Sequence, residues 1–290
     1  MTSANDFLEL LRNSPEADDH IIASLDVECL FTYVPVDRTI NFILDRVYRC
    51  EETPTLNIPE EKLETLEEIF TKQAPFTCPR GRMYCQVDGV AMGSPLGVLF
   101  ANFFTGTIEA TAQQQNRPSI YCRYIDDIFV RVKNLDELQA LKKRLTDASG
   151  LNFTYEESRD DSLPFLDVLV TARDAGFTTT VCIKQTNQGL CLNGDSECPQ
   201  RYLRSTINAY VRRVLSHCTS WESTHQELER LTQVLVNNGY KDSDVQEAIK
   251  TAINKEHTDK QTLQEENDKI KIFYKSHLST QHSIEEKSIR

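Results

Sequence analysis

The sequence Arg123-Tyr124-Ile125-Asp126-Asp127-Ile128-Phe129 places two adjacent acidic residues inside an apolar segment. Apolar residues continue on both sides, from Ile120 to Val132, and this pattern predicts two strands that meet at a tight turn around the acidic pair. Neighbouring carboxylates raise each other's pKa and burial raises it further, so such a pair is costly unless a cation binds it. An acidic pair at a solvent-exposed turn is an equally good interpretation of this segment alone.

Another acidic residue lies at the end of a short apolar run. Ile21-Ile22-Ala23-Ser24-Leu25 is typical of a buried strand, Asp26 follows it directly, and Phe31 comes soon after. If the acid-bearing strands lie side by side, their carboxylates could hold two Mg²⁺ ions about 3.5–4 Å apart. One ion would activate an attacking hydroxyl and the other would neutralise a leaving pyrophosphate. The pattern therefore favours in-line phosphoryl transfer.

The segment Gly93-Ser94-Pro95 predicts the start of a helix that runs to about Gln114. Ser94 is a good N-cap, and Pro95 is a good first helical residue. Gly93 has no Cβ, so the backbone there could approach a nucleic-acid base pair closely. An ordinary helix start explains the same residues, and both interpretations stay open at this point.

The remaining pattern predicts an α+β fold, because strands and helices alternate before a helical region. Pro35 and Pro59 each begin a helical pattern, and the second helix carries its apolar residues Leu63, Leu66, Ile69 and Phe70 on one face. Further strands are predicted at 83–87, 151–155, 165–171 and 177–183, and further helices at 135–145, 202–217, 222–237 and 242–256.

Charge is distributed unevenly along the chain. The 290 residues carry a net charge of −12, which alone argues against a nucleic-acid partner. Residues 76–145 nevertheless hold 9 basic and 6 acidic side chains, and residues 182–213 hold 5 and 2, so two stretches permit phosphate binding. No apolar stretch approaches the roughly 20 residues that cross a bilayer. Nine cysteines without a closely spaced pair indicate an intracellular protein with free thiols.

Three segments together resemble the palm of reverse transcriptases. The first runs from Ser24 to Thr32, the second from Gly89 to Gly97, and the third from Arg123 to Phe129. The wider sequence resembles the Penelope-like retroelement family, and this resemblance covers about Asn5 to Lys275. The stretches that carry it, in order, are SLDVECLFTYVPVDRTI, GVAMGSPLG, NFTYE, LPFLDV and NNGY.

The resemblance implies a right-hand polymerase palm, which is an antiparallel sheet with helices, followed by a helical thumb. The implied divisions are an N-terminal remnant at 1–20, the palm at 21–185, the thumb at 186–256, and a polar tail or linker at 257–290.

The resemblance also assigns roles to particular acidic residues. Asp26 and Asp126 match the catalytic metal ligands of the family, and Asp127 matches the second acid of the pair. Val27 would offer its backbone carbonyl to a metal. The implied cofactor is a pair of Mg²⁺ ions, with Mn²⁺ as a substitute.

Other residues are implied to bind nucleotide or nucleic acid. Phe31 matches the aromatic gate that crowds a 2′-hydroxyl and so favours deoxynucleotides, and Gly93 and Ser94 match residues beneath the templating pair. Leu163–Asp167 fits the primer-grip hairpin, in which Asp167 is expected to be structural. The implied backbone contacts are Lys184, Arg201, Arg204, Arg212 and Arg213, although a solvated helix face explains the arginines equally well.

The implied function is RNA-directed DNA synthesis on an RNA template, with a DNA primer and dNTPs, away from membranes and at a nuclear site of action. Members of the family carry a basic fingers region before the first acidic motif, and many end in a GIY-YIG endonuclease. Only 25 residues precede Asp26 and the chain stops at Arg290, so a truncated copy is expected. The alternatives are a catalytically incompetent nucleic-acid-binding fragment and an unstable fragment without function.

Overall fold

A central antiparallel sheet organises the first part of the chain. The computed structural model describes residues 1, 3–14, 20–50, 56–73, 75–113, 116–173 and 176–262. The four strands of the sheet are β1 (Ile21–Val27), β4 (Ile120–Tyr124), β5 (Asp127–Val132) and β6 (Phe153–Glu157). The strand order in the sheet is β4-β5-β1-β6, and each neighbouring pair is antiparallel.

Helices cover one face of this sheet and form the larger core. Phe100 and Phe104 from one helix, and Leu138 and Leu141 from another, are fully buried against Val130 of the sheet. The chain between the first strand and these helices includes a helix that continues into a π-helical turn, Asp45–Arg49. The helices are α2 (Leu30–Tyr33), α3 (Val36–Leu44), α5 (Pro95–Ala112) and α6 (Leu135–Ser149).

The N-terminal helix α1 (Ala4–Arg12) belongs to a second core on the same sheet. Phe7 is completely buried, and its ring lies 5.0 Å from that of Phe129 and 4.8 Å from that of Phe165, measured between centroids. Ser3 and Asp6 form a capping box at its start. Helix α1, which lies in the part of the chain expected to be an N-terminal remnant, is therefore a packed element of the fold.

A second, three-stranded antiparallel sheet packs into the same core. The sequence predicted one strand over residues 165–171, and that prediction is wrong because a tight turn interrupts it. Leu166 and Asp167 have φ of +45° and +64°, the backbone conformation of a two-residue hairpin turn. The expected primer-grip segment is thus a hairpin. The strands are β7 (Ser162–Phe165), β8 (Val168–Arg173) and β9 (Gly176–Val181).

Helix α4 (Glu60–Lys72) buries a different face from the one its apolar residues indicate. Leu66, Ile69 and Phe70 are 43%, 43% and 60% exposed, whereas Glu67 and Thr71 are buried. The helix packs against α3, and Lys72 pairs with Asp37 of that helix. Because of this contact, the face of α4 that contains Leu63, Glu67 and Thr71 packs inward. An exposed hairpin of β2 (Pro75–Thr77) and β3 (Met83–Cys85) follows α4.

The region after the sheets is helical, as the sequence predicts. It contains α7 (Gln200–His217), α8 (Trp221–Asn237) and α9 (Asp242–Thr262). The chain divides into two compact units, one made of Met1–Gln188 and Ser216–His225, the other of Gly189–Leu215 and the residues from Gln226 onward. Helix α9 extends beyond residue 257, where the tail was expected to begin. The rest of that expected tail, 263–290, lies outside the described residues. None of the helices in the described part of the chain has the length and apolar content to span a membrane.

Candidate active site

Three predicted acidic residues meet at one end of the central sheet. The antiparallel register of β1 and β5 pairs Asp26 with Asp127, and Asp126 lies directly before it in the two-residue turn between β4 and β5. Directly opposed residues on antiparallel strands project from the same face, with Cβ atoms about 4.5–5.5 Å apart. The fold therefore joins residues that the sequence places in two distant motifs.

The turn that carries Asp126 is strained. Ile125, its first residue, has φ of +57°, a left-handed conformation that is unusual for a β-branched side chain. A positive φ at the first central position is characteristic of a type II′ turn, which prefers glycine there. Such a conformation costs about 1–3 kcal/mol and persists only where surrounding contacts enforce it.

Desolvation and neighbouring negative charges raise the pKa values of two of these carboxylates, Asp127 and Asp26. The pKa of Asp127 is raised to about 6, first by partial desolvation and then by the negative charges of Asp126 and Asp26, while the positive charge of Lys184 opposes the rise. Desolvation and the charges of Asp126 and Glu28 also raise the pKa of Asp26, and a hydrogen bond from the Val27 amide opposes them. Asp26 and Asp127 remain exposed as residues, so this end of the sheet is open to solvent.

The donor set suits a hard divalent cation. Carboxylate oxygens are the protein ligands that Mg²⁺ accepts, and the mutual repulsion at this site is what a bound cation would relieve. Within the described residues, no three His, Cys, Asp or Glu side chains converge closely enough to form a ready-made metal site. The chemistry of the donors therefore fits a metal, while their present spacing is wider than a closed coordination shell.

Phe31 lies where the segment before α5 meets the end of β1. Its carbonyl accepts a hydrogen bond from the Val90 amide at 2.7 Å, and a Cβ placed on Gly97 would lie 3.7 Å from its ring. Gly89 has φ of +73°, and a Cβ there would be 2.8 Å from the Phe31 carbonyl oxygen, so only glycine allows this approach. The structure thus brings Phe31 to the start of α5.

The start of α5 has the local geometry that the sequence predicts. The Ser94 hydroxyl accepts a hydrogen bond from the Leu96 amide, Pro95 is the first helical residue, and Gly93 has φ of +86°. A Cβ on Gly93 would meet no atom within 4 Å, so the requirement for glycine there is conformational. The helix ends at Ala112, and the expected end near Gln114 lies outside the described residues.

Arg123 forms a polar network that the sequence did not single out. Its Nε donates to Glu109 at 2.6 Å, and its Nη1 donates to the Asn102 side chain at 2.8 Å and to the Ile125 carbonyl at 3.0 Å. The Tyr121 hydroxyl also donates to Glu109, at 2.7 Å. The pKa of Tyr121 is strongly raised, first by burial and then by the Glu109 charge. The only feature of the sequence that pointed to this network is the position of Arg123, three residues before the acidic pair.

The predicted arginine contacts fall on helix α7. Arg201, Arg204 and Arg212 are exposed, whereas Arg213 is only partly exposed and lies about 100° around the helix from Arg212. No acidic residue occurs between Gln200 and His217. Lys184 follows β9 in the sequence and acts on Asp127 electrostatically.

Solved structures of telomerases share this fold. Telomerase from Candida albicans, in complex with the TWJ fragment of telomeric RNA, matches with a TM-score of 0.57 at 11% identity, over 86% of this chain and 44% of that chain. Apo telomerase from Candida tropicalis matches with a TM-score of 0.51 at 12% identity, over 88% and 47%. The chain thus spans less than half the length of these telomerase chains. The similarity confirms the expected fold class, an α+β polymerase palm followed by helices.

Comparisons of sequence give a narrower result. The family described as Animal helix-turn-helix domain matches residues 190–250, which contain α7, α8 and the first part of α9. This match covers a minor part of the chain and none of the central sheet. No curated protein sequence matches the chain.

Proposed function

We propose that this chain is the palm and thumb part of an RNA-directed DNA polymerase, a reverse transcriptase of the Penelope-like retroelement type. The observation that carries the proposal is the strand register that pairs Asp26 with Asp127 beside the turn at Asp126. The strained turn at Ile125 is a second support, because unfavourable backbone conformations cluster at functional sites. The polymerase fold shared with telomerases agrees with both.

The proposed cofactor is a pair of Mg²⁺ ions, with Mn²⁺ as a substitute, held by the carboxylates of Asp26, Asp126 and Asp127 and by the Val27 carbonyl. When bound, the ions supply activation of a primer 3′-hydroxyl and neutralisation of the departing pyrophosphate. The residues themselves bring hard oxygen donors to one open end of the sheet, at a spacing wider than a closed coordination shell. The negative charges that contribute to the raised pKa values of Asp26 and Asp127 are charges that a bound cation would neutralise.

The proposed substrates are an RNA template, a DNA primer and dNTPs. Phe31 would crowd a 2′-hydroxyl and so favour deoxynucleotides, and Gly93 and Ser94 would lie beneath the templating base pair. Lys184 and the arginines of α7, namely Arg201, Arg204, Arg212 and Arg213, would contact the phosphate backbone. Chromosomal targets would place the activity in the nucleus.

A second candidate is a nucleic-acid-binding protein without polymerase activity. The helix-turn-helix match over residues 190–250 favours it, because helix-turn-helix pairs can present a helix to nucleic acid. The exposed arginines of α7 agree with this candidate as well as with the first.

Primer extension separates the two candidates. The parent protein and Asp126→Asn are given an RNA template with an annealed DNA primer, dNTPs and Mg²⁺. We expect the variant to lose extension by roughly a thousandfold or more, because it removes one charge from a cluster that acts as a unit. Asp147→Asn, at an exposed position on α6, is the matched control and should extend like the parent.

An Asp126→Asn variant that extends primers as well as the parent would disprove the assignment of the site. If neither protein extends a primer while both bind the duplex and keep the parent's thermal melt, the second candidate is supported. Duplex binding is measured by fluorescence anisotropy, and the melt by circular dichroism.

A further inference from the structure

Arg123 connects the strained turn to helix α5 at two points. One guanidinium nitrogen donates to both the Ile125 carbonyl and Asn102, and another donates to Glu109 two turns further along the helix. The side chains of Arg123 and Glu109 are only 13% and 16% exposed. A guanidinium fixes several acceptors in one plane, so these bonds set the position of the turn relative to the helix.

The carbonyl that Arg123 holds belongs to the residue with the unfavourable backbone conformation. Ile125 has φ of +57°, and Asp126 follows it directly. A conformation of this kind relaxes when the contacts that enforce it are removed. Relaxation of the turn would carry the Asp126 carboxylate away from Asp26 and Asp127, whose positions the sheet register fixes.

Glu109 neutralises the charge of Arg123, so the arginine affects the acidic residues through the position of the turn and not through its charge. The two side chains form an ion pair at 2.6 Å, and Tyr121 adds a hydrogen bond to the same carboxylate oxygen. A neutralised pair contributes little net charge to the acidic cluster.

We infer that Arg123 is a positioning residue, which anchors the Ile125–Asp126 turn to α5 and so holds Asp126 beside the paired Asp26 and Asp127 at the end of the sheet. This inference rests on the proposed function, because it assumes a cation at the acidic cluster. It adds a connection between the helix that begins at Gly93-Ser94 and the turn that carries the acids.

The test compares Arg123→Met with Arg131→Met, which replaces a second buried arginine in the same hairpin. Arg131 is 4% exposed, its Nε donates to Ser119, and it pairs with Ile120 at the end of the hairpin remote from the turn. Both variants lose a buried guanidinium, so a general loss of stability affects both. Only Arg123→Met should release the turn.

Mn²⁺ binding, followed by electron paramagnetic resonance, is the first readout. We expect Arg123→Met to weaken binding about tenfold or more, Arg123→Lys to recover part of it, and Arg131→Met to stay within about twofold of the parent. Hydrogen–deuterium exchange is the second readout, and residues 124–128 should exchange faster in Arg123→Met alone. In primer extension, kcat should fall with Mn²⁺ affinity while KM for primer–template stays unchanged.

Parent-like Mn²⁺ binding by Arg123→Met would overturn the inference, as would equal weakening in Arg131→Met. If Arg123→Met does not fold, Asn102→Ala decides, because Asn102 is exposed and its loss removes only one bond to Arg123. Weaker Mn²⁺ binding by Asn102→Ala then supports the inference, and unchanged binding overturns it. Asp126→Asn gives the Mn²⁺ affinity expected when the Asp126 carboxylate is lost altogether. If it binds Mn²⁺ as tightly as the parent, the proposed function fails and the inference fails with it.

Discussion

At the scale of single residues, Glu67 on α4 is a buried acid outside the candidate site. It is 5% exposed, and among the described residues its Oε2 has no hydrogen-bond partner. Burial raises the pKa of Glu67 to about 7, and the nearby charge of Glu64 contributes to the rise. The folded protein therefore binds a proton at this position more tightly than the unfolded chain does.

This difference makes folding stability depend on pH. Because the folded pKa lies above the ordinary value of 4.5, ionisation of Glu67 destabilises the fold, and the free energy of unfolding should fall as pH rises through about 7. The shift corresponds to at most about 3 kcal/mol, and to roughly 1–2 kcal/mol after solvent screening. Below pH 4.5 both states hold the proton, and the contribution no longer changes.

We predict that Glu67→Gln removes this dependence between pH 4.5 and about pH 7, the interval over which the parent loses stability relative to the variant. Urea unfolding at a series of pH values measures the difference. Glu61→Gln, at an exposed position near the start of the same helix, should follow the parent's pH profile. Parallel profiles for the parent and Glu67→Gln would show that Glu67 is solvated in the folded protein.

At the scale of elements, the packing of α1 on the central sheet shows that the fold includes residues before the first strand. Phe7 anchors this helix in the core between the two sheets, where it contacts Phe129 and Phe165. We predict that Phe7→Ala lowers the free energy of unfolding by about 3–5 kcal/mol, the usual cost of emptying a buried aromatic site.

Denaturant unfolding checks this prediction, with Glu9→Ala on the exposed side of the same helix as control. The control should unfold at the parent's midpoint. A Phe7→Ala variant as stable as the parent would mean that α1 does not pack on the sheet in solution.

Elements with strong local signals could be predicted from the sequence. Ser94 and Pro95 mark a helix start by their own side-chain chemistry, and the acidic pair between two apolar runs marks a hairpin. The pairing of Asp26 with Asp127 has no local signal, because it joins strands that are distant in the sequence. That pairing was accessible only through the resemblance to reverse transcriptases.

Two other features depend on neighbours that periodicity does not identify. Two rows of residues on helix α4 could face the core, one that contains Glu67 and one that contains Phe70. The contact of α4 with α3 buries the row that contains Glu67. The role inferred for Arg123 depends on its hydrogen bonds to Asn102 and Glu109 on α5. These partners are distant in the sequence and meet Arg123 only in the folded protein.

At the scale of the whole molecule, a net charge of −12 opposes binding to nucleic acid, so any binding must come from a local basic surface. Helix α7 provides one candidate, with exposed Arg201, Arg204 and Arg212 and no acidic residue in its length. Phosphate contacts release counterions, so the affinity for duplex should fall steeply as salt rises.

We predict that replacing Arg201, Arg204 and Arg212 with Gln reduces the slope of log affinity against log salt by up to about 3, since each phosphate contact contributes about 0.9. Fluorescence anisotropy with an RNA–DNA duplex at several salt concentrations measures it. Replacing the exposed Lys241, Lys250 and Lys255 with Gln removes the same charge from the neighbouring part of the chain and should leave the slope unchanged. Equal effects of the two triple variants would indicate attraction by overall charge.

The register between β1 and β5 makes the candidate site far more sensitive to changes in chain length than to changes in residue type. Residues alternate between the faces of a strand, so one inserted residue within Asp127–Val132 would either slip the pairing or require a bulge. A relative could therefore retain every acidic residue in a sequence alignment and still have lost the site through a single-codon insertion. Spacing inside the strands, and not only the presence of the acids, therefore distinguishes a relative with an intact site from one that has lost it.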